Sequence, residues 1–271
     1  MKVPAELARS IRTRWPDRAD QWLTAIEPEL ADLCRRHNAT PRRILPARYA
    51  LVVAATTPEQ RLILRATPDP GASAQTTVAK ALADIDVGPA IHEAVTTESG
   101  TWTIMDQVTP GTPLADADPT TVTLDELTAP LRAIAAAPDL ADDLPHLADW
   151  LRRRLTDDHL TDLAPGLTVA PSSERKQALE LLDGLSTETA SGLCHADVSP
   201  WNVLRDSDGN WSLIDPRGLR GQVEYDAAVM SLKISSAIPS ISNVNTLIAD
   251  SAKFSRDRVS DWEKVARAAR V

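Results

Sequence analysis

The sequence predicts an α+β fold in which helices come first, β-strands follow and a mainly helical region completes the chain. Three observations support this prediction. Apolar residues recur at helical intervals between Pro4 and Arg36. Short β-branched or apolar runs, separated by turn-forming residues, occupy the stretch from Ile44 to Val108. From Leu124 onward the apolar pattern returns to helical spacing and becomes rich in alanine and leucine.

The first helical region contains two prolines, Pro16 and Pro28. They are expected to break it into short helices, or to begin new helices at their first turn. Its apolar side chains would pack against the body of the protein, which makes the region structural. These side chains are Leu7, Ile11, Trp15, Trp22, Leu23, Ile26, Leu30 and Leu33.

The next region is predicted to contain a hairpin, a helix and two further strands. Strands are expected at 49–55, 60–65, 89–95 and 101–108, turns at 56–59 and 96–100, and a helix at 74–85. Pro110 and Gly111 then mark the clearest internal boundary. We therefore divide the chain into N-terminal helices and strands at 1–107 and a mainly helical segment at 108–271. Helices in the second segment are predicted at 124–137, 144–155, 173–185, 227–234 and 261–271, with a loop at 239–243.

Three polar residues recur within the apolar stretch 193–226. Asp197 precedes Asn202 by five positions, and Asp215 follows Asn202 by thirteen. The residues between Asn202 and Asp215 predict a β-hairpin with its turn at 206–210. Such a hairpin would bring Asn202 and Asp215 side by side, where their oxygen atoms could bind Mg²⁺, which prefers hard oxygen ligands. Asp197, just upstream, could accept a proton from a hydroxyl group.

These residues resemble the catalytic loop and metal-binding motif of protein-kinase-like phosphotransferases, in which His-x-Asp is followed by four residues, Asn, and then an Asp before Gly. The chain looks most like the aminoglycoside phosphotransferase family, and within it the streptomycin kinase and hydroxyurea-resistance kinase branch. In that branch the metal-binding Asp is followed by Pro, a basic residue and Gly. The matching residues here are Asp215, Pro216, Arg217 and Gly218, with Tyr225 and Asp226 after them. The resemblance implies a bilobal fold, with a small β-rich N-lobe and a larger, mainly helical C-lobe.

The resemblance also implies roles for residues of the catalytic loop. Asp197 would orient the substrate hydroxyl and accept its proton, while His195 would brace the loop; alternatively, His195 is an ordinary core histidine. Substrate contacts are expected from Ser199, Trp201 and Asp226. Asp226 is in addition expected to bind the backbone of the catalytic loop.

The expected nucleotide site departs from the family pattern. A kinase N-lobe offers a Lys paired with a Glu, whereas this chain has Arg65 and Gln75 at the matching places. Arg65 would hold the phosphates and donate to Gln75; the alternatives are weak nucleotide binding, a preference for GTP, or Arg65 as a strand-end cation. The adenine would lie beside Met105 and bind the backbone of Asp106 and Val108. No glycine-rich loop separates the first strands.

Composition limits the partners. The chain has 271 residues, of which 43% are hydrophobic and 25% charged, and its formal net charge is −9. This charge argues against nucleic acid and suits a cationic small molecule, although acidity is also the commonest way for a protein to stay soluble. Cys34 and Cys194 give no disulfide framework, so a cytoplasmic location is expected. No run approaches the roughly 20 apolar residues of a membrane-spanning helix, and the sequence leaves the oligomeric state open.

The sequence therefore predicts a small-molecule kinase that uses Mg²⁺ and ATP, or alternatively GTP. It would phosphorylate a hydroxyl group of an antibiotic, with streptomycin as the first expectation. Hydroxyurea, a peptide antibiotic or a nucleoside antibiotic would fit the same motif. Two other classes stay open, namely a nucleotide-binding pseudokinase without catalysis and a metal-dependent hydrolase with His195, Asp197 and Asp215 as ligands.

Overall fold

The computed structural model describes residues 1–138, 143–163, 166–186, 192–237 and 243–271. The chain divides into two compact units. The first comprises Met1–Thr76 and Pro89–Gln107, and the second comprises Thr77–Gly88 and Val108–Val271. The division after Gln107 coincides with the predicted boundary. Residues 77–88 instead belong to the second unit, where the backbone N–H of Leu213 donates to the carbonyl of Val87 at 2.7 Å.

The first unit consists of helices and one five-stranded sheet. In chain order its elements are α1 (Ala5–Arg14), α2 (Pro16–Arg36), β1 (Thr40–Leu45), β2 (Leu51–Thr56), β3 (Arg61–Thr67), α3 (Ala72–Asp84), β4 (Ile91–Thr96) and β5 (Thr101–Asp106), of which α3 continues into the second unit. The sheet is antiparallel, with strand order β1-β2-β3-β5-β4. Its register places Arg65 between Val52 and Thr103.

Four of the five strands lie close to their predicted positions, but β1 was not predicted. Its sequence begins with Thr40, Pro41 and two arginines, which obscure the strand pattern. β1 is an edge strand, and its first four residues are largely exposed. An edge position tolerates both a proline and polar side chains because one side of the strand makes no ladder hydrogen bonds.

The expected break at Pro28 is wrong. Pro16 does begin α2 at its first position, but Pro28 lies inside the same helix, which continues to Arg36. The helix buries Trp22, Ile26 and Leu30 completely or nearly so in the core of the first unit. Burying three large side chains contributes several kcal/mol, which offsets the cost of about 3 kcal/mol for an interior proline.

The second unit is mainly helical, as predicted. Its elements are β6 (Pro110–Pro113), α4 (Leu124–Ala135), α5 (Leu147–Thr156), α6 (Ser172–Ser186), β7 (Gly192–Cys194), β8 (Val203–Asp206), β9 (Trp211–Leu213), β10 (Leu219–Gly221), α7 (Val223–Ala237), α8 (Val244–Ala252) and α9 (Arg256–Ala268). Two small sheets, β6-β8-β9 and β10-β7, are both antiparallel.

Four helices of this unit were not predicted or begin three or more residues before or after their predicted start. α8 was not predicted, α9 begins five residues before its predicted start at Asp261, α7 begins four residues before its predicted start at Ala227, and α5 begins at Leu147 rather than at Leu144. Residues 239–242 of the predicted loop lie outside the described residues. None of the helices within the described ranges has the length and apolar character needed to cross a membrane.

Candidate active site

The hairpin that was predicted from the sequence is present as β8 and β9. Val203 pairs with Leu213, and the backbone N–H of Ile214 donates to the carbonyl of Asn202 at 2.9 Å. In the turn, the Asp206 carboxylate accepts from two backbone N–H groups, those of Asp208 at 2.9 Å and Asn210 at 2.8 Å. The hairpin therefore fixes Asn202 beside the strand end that leads into Asp215.

Asp197 lies on the loop before this hairpin and is half-buried. Its backbone carbonyl accepts from the N–H of Ser199 at 2.8 Å and from Asn202 Nδ2 at 2.9 Å. Its carboxylate oxygen Oδ2 accepts from Arg217 Nη2 at 3.1 Å. These bonds fix both the backbone and the carboxylate of the expected catalytic base.

Arg217 is a site residue whose role the sequence analysis did not recognise. Its guanidinium lies 4.7 Å from the ring centroid of Trp150, and Arg154 lies 5.1 Å from the same ring. Its backbone N–H donates to the carbonyl of His195 at 3.0 Å. The basic residue within the motif at 215–218 was a signal for Arg217. Trp150 gave no such signal, because it lies far away in sequence on α5.

His195 braces the loop through both of its ring nitrogens. The ring is fully buried, Nε2 lies 2.9 Å from the carbonyl of Ile214, and Nδ1 accepts from the Asp197 N–H at 3.2 Å. A carbonyl can only accept and an amide N–H can only donate, so the ring is neutral and carries its proton on Nε2. Burial lowers the pKa of His195 below its ordinary value, which favours the same neutral state.

Asp226 binds the backbone of the catalytic loop through its buried carboxylate. Its carboxylate accepts from the backbone N–H groups of His195 at 2.9 Å and Ala196 at 2.7 Å, and from the Cys194 thiol at 3.5 Å. Burial raises the pKa of Asp226 to about 7, although the two backbone donors act in the opposite direction. The expected bond to the loop backbone is therefore present. Asp226 is 0% exposed and both of its carboxylate oxygens are engaged by the loop. Its contact with a substrate stays a prediction.

Ser199 and Trp201, the other expected substrate residues, remain accessible. Ser199 is half-buried, whereas the Trp201 side chain is 62% exposed, an unusual position for so large an apolar group. The carbonyl of Pro200 between them accepts from the N–H of Ala115 at 3.1 Å. Their contact with a substrate stays a prediction.

Asn202 and Asp215 present oxygen atoms that suit Mg²⁺. Because Asn202 donates its Nδ2 to Asp197, its Oδ1 is the atom left to act as a ligand. Asp215 is exposed and has a left-handed backbone, with φ of 58°. One amide oxygen and one carboxylate fit an ion that completes its octahedron with phosphate and water. Within the described ranges, no group of three or more His, Cys, Asp or Glu side chains could hold a metal ion.

The expected nucleotide residues are divided between the two units. In the first unit, Arg65 Nη2 donates to Gln75 Oε1 at 3.1 Å, as expected. Met105 is half-buried, and the Asp106 N–H already donates to the carbonyl of Ala90 at 2.9 Å. Of the two backbone groups of Asp106, adenine could therefore bind only the carbonyl.

Val108 belongs to the second unit, close to the predicted boundary glycine. A Cβ on Gly111 would lie 2.6 Å from the carbonyl oxygen of Val108, and the φ angle of Gly111 is 72°. The close approach and the left-handed backbone both require glycine at this position. The roles of Met105, Asp106 and Val108 in adenine recognition stay predictions.

The α+β fold and the order of residues in the catalytic loop and hairpin define the class of protein-kinase-like phosphotransferases. A family model described as the phosphotransferase enzyme family, APH, matches residues 40–262. This match covers most of the chain, and the protein belongs to this family. It is an enzyme of ATP-dependent phosphotransfer to a hydroxyl group. No curated protein matches the sequence.

Solved structures show the same fold at low sequence identity. A choline/ethanolamine kinase family protein from Mesorhizobium loti is 12% identical, with a TM-score of 0.64 over 90% of this chain and 83% of that one. The aminoglycoside phosphotransferase APH(4)-Ia is 17% identical, with a TM-score of 0.59 over 90% and 88%. The spectinomycin phosphotransferase APH(9)-Ia, in complex with ADP and spectinomycin, is 12% identical, with a TM-score of 0.59 over 90% and 85%.

The predicted family and the predicted protein-kinase-like fold are thus confirmed. The narrower prediction of a streptomycin or hydroxyurea kinase branch stays a prediction, as do the individual roles of the site residues.

Proposed function

We propose that the protein transfers the γ-phosphoryl group of ATP, with Mg²⁺, to a hydroxyl group of a cationic antibiotic, with streptomycin as the first candidate. The observation that carries this proposal is the Asp197 carboxylate, which Arg217 orients at 3.1 Å on a loop held by His195 and Asp226. A carboxylate fixed in this way, followed by Asn202, fits a base that positions a hydroxyl group for phosphoryl transfer.

In this mechanism Asp197 accepts a hydrogen bond from the substrate hydroxyl and takes its proton late. The substrate oxygen forms a bond to the γ-phosphorus as the bond to the bridging oxygen breaks, and ADP leaves. Asn202 and Asp215 would hold Mg²⁺, which neutralises charge on the phosphates when bound. Arg65 would steady the phosphate chain. Because the transition state is loose, the protein acts mainly through position and charge.

A cationic antibiotic is supported by charge and by exposure. The formal net charge of −9 attracts cations. Trp201, 62% exposed and adjacent to Asn202, offers a ring face on which a cation or a sugar could stack. The structure of APH(9)-Ia holds ADP and spectinomycin together, which supports the same pair of ligand classes here. Both ligands would be met in the cytoplasm.

The test is a panel of acceptors assayed for nucleotide consumption, with ATP and GTP tested separately. Acceptors would include aminoglycosides, hydroxyurea, peptide and nucleoside antibiotics, choline and ethanolamine. We expect one cationic antibiotic to yield a product about 80 Da heavier, the mass of an added phosphoryl group. Measurable nucleotide binding without any product from the antibiotics would contradict this choice of acceptor.

Asp197→Ala should lower turnover by roughly 10²- to 10⁴-fold, because the hydroxyl loses the group that orients it and accepts its proton. The affinity for nucleotide should be almost unchanged. Asp208→Ala, in the exposed turn of the same hairpin, is the matched control and should retain activity. Near wild-type turnover in Asp197→Ala would show that Asp197 is not the base.

A further inference from the structure

The carboxylate of Asp69 binds the side of Gln75 that does not face Arg65. Gln75 Oε1 accepts from Arg65 Nη2 at 3.1 Å, and Gln75 Nε2 donates to Asp69 Oδ2 at 3.0 Å. The other carboxylate oxygen, Oδ1, accepts from the backbone N–H of Gly71 at 2.8 Å. Guanidinium, amide and carboxylate therefore form one continuous chain from the end of β3 to the first turn of α3.

The direction of this chain depends on Asp69. A glutamine amide presents an acceptor on one side and a donor on the other, and nothing in the side chain itself prevents it from turning over. With the carboxylate of Asp69 on the Nε2 side, only one orientation satisfies both neighbours. That orientation presents Oε1 to Arg65. Without the carboxylate, the NH₂ group of Gln75 could face the guanidinium, donor against donor.

We propose that Asp69 is the positioning residue for Arg65, with Gln75 as the relay between them. Asp69 would supply, through one intervening amide, the negative charge that a glutamate supplies directly in the usual Lys–Glu pair. Because arginine is always charged, it needs a partner for its orientation and not to keep its proton. The inference rests on the proposed role of Arg65 in holding the nucleotide phosphates.

Asp69 also stabilises the turn before α3, and an experiment must distinguish this structural role from its proposed role in positioning Arg65. Its carbonyl accepts from the Ala72 N–H at 3.0 Å, and its N–H donates to Thr67 Oγ1 at 3.2 Å. Together with the bond from Gly71, these contacts shape the turn that leads into α3. A substitution must keep this turn while changing only the contact with Gln75.

Asp69→Asn meets this requirement. The oxygen of the introduced asparagine can still accept from Gly71, but its NH₂ group then faces Nε2 of Gln75, so the relay loses its acceptor. Gln75→Glu alone places two carboxylates about 3 Å apart and should also disturb the site. The double variant restores every contact, because the introduced asparagine amide donates to the introduced carboxylate, which in turn accepts from Arg65.

The experiment measures the dissociation constants of MgATP and MgADP for the full chain by titration calorimetry, together with thermal midpoints. We expect Asp69→Asn and Gln75→Glu each to weaken binding by about tenfold. The double variant should return to within about twofold of the wild type. Gln75→Ala, which leaves the turn untouched, should weaken binding to the same extent as Asp69→Asn.

The two levels of the proposal fail in different ways. If Arg65→Ala leaves nucleotide affinity unchanged, the phosphate role of Arg65 is wrong. If Arg65→Ala weakens binding but Gln75→Ala does not, the phosphate role stands and the relay is wrong. If the double variant recovers thermal stability but not affinity, Asp69 serves only the turn, which also overturns the relay.

Discussion

At the scale of single residues, the expected catalytic base depends on a cation that is itself held by an aromatic ring. Arg217 donates to Asp197, and Trp150 covers the guanidinium at 4.7 Å. A cation over an aromatic face is stabilised by about 0.5–2 kcal/mol. The ring thus limits the positions that Arg217, and through it the Asp197 carboxylate, can adopt.

Replacing Trp150 with alanine should lower kcat by about tenfold, because Arg217 would sample orientations that do not engage Asp197. Trp150→Phe keeps an aromatic face and should recover most of the loss. MgATP affinity should stay unchanged in both variants. Steady-state kinetics with the acceptor identified in the panel would measure this, and equal kcat values for the alanine and wild-type enzymes would contradict it.

His195 should make stability depend on pH. Its pKa is lowered from the ordinary value of 6.5 in the folded protein, chiefly by burial. Below pH 6.5 the unfolded chain therefore binds a proton that the folded protein resists, and the free energy of unfolding decreases as the pH falls. His195→Gln keeps a neutral donor for the carbonyl of Ile214 but does not titrate. As the pH is lowered from 8 to 5, the thermal midpoint should fall more steeply in the wild type than in His195→Gln. Parallel curves for the two proteins would contradict the lowered pKa of His195.

At the scale of elements, the second unit requires a close approach of α5 to β10. A Cβ on Gly221 would lie 2.8 Å from both Cβ and Cδ2 of Leu147, which is itself 1% exposed. Neither atom can easily move, because Cβ is fixed by the helix and the side chain is packed. Gly221 therefore sets the distance between α5 and the sheet formed by β10 and β7. β7 ends at Cys194, directly before His195 of the catalytic loop.

Gly221→Ala should lower the free energy of unfolding by about 1–3 kcal/mol, the usual cost of overpacking. Gly184, inside α6, is the matched control. Apart from its chain neighbours and the backbone of its own helix, no atom lies within 4 Å of the position that a Cβ would take there. Gly184→Ala should be neutral or stabilise by up to about 1 kcal/mol, since alanine is the better helix former. Urea denaturation at equilibrium would compare them, and equal midpoints for both variants would count against the packing argument.

Elements could be predicted from the sequence where their patterns are local. Four strands and the hairpin from Asn202 to Asp215 follow from alternation and turn residues over a few positions. β1 could not be predicted because its exposed edge position permits polar residues, and the continuation of α2 through Pro28 depends on burial that only the folded core supplies.

At the scale of the whole molecule, metal and nucleotide should stabilise the folded protein together. A ligand present at 100 times its dissociation constant adds about 2.7 kcal/mol, which corresponds to a rise in Tm of roughly 5–10 °C for a chain of this size. We expect this rise with MgATP, and a much smaller rise with ATP in EDTA. Asp215→Ala should abolish the difference between the two conditions. An undiminished MgATP effect in that variant would contradict the metal role of Asp215.

The sequence by itself determined the family, the order of Asp197, Asn202 and Asp215, and the hairpin that joins the last two. These features depend on neighbours along the chain, because a hairpin brings its two ends together whatever surrounds it. The tertiary structure alone decided that Arg217 and Trp150 orient Asp197, and that Asp226 is completely buried against the catalytic loop. The physical reason is that packing and hydrogen bonding act between residues that are close in space. The number of residues that separate two partners in the sequence does not tell how close they lie in the folded protein.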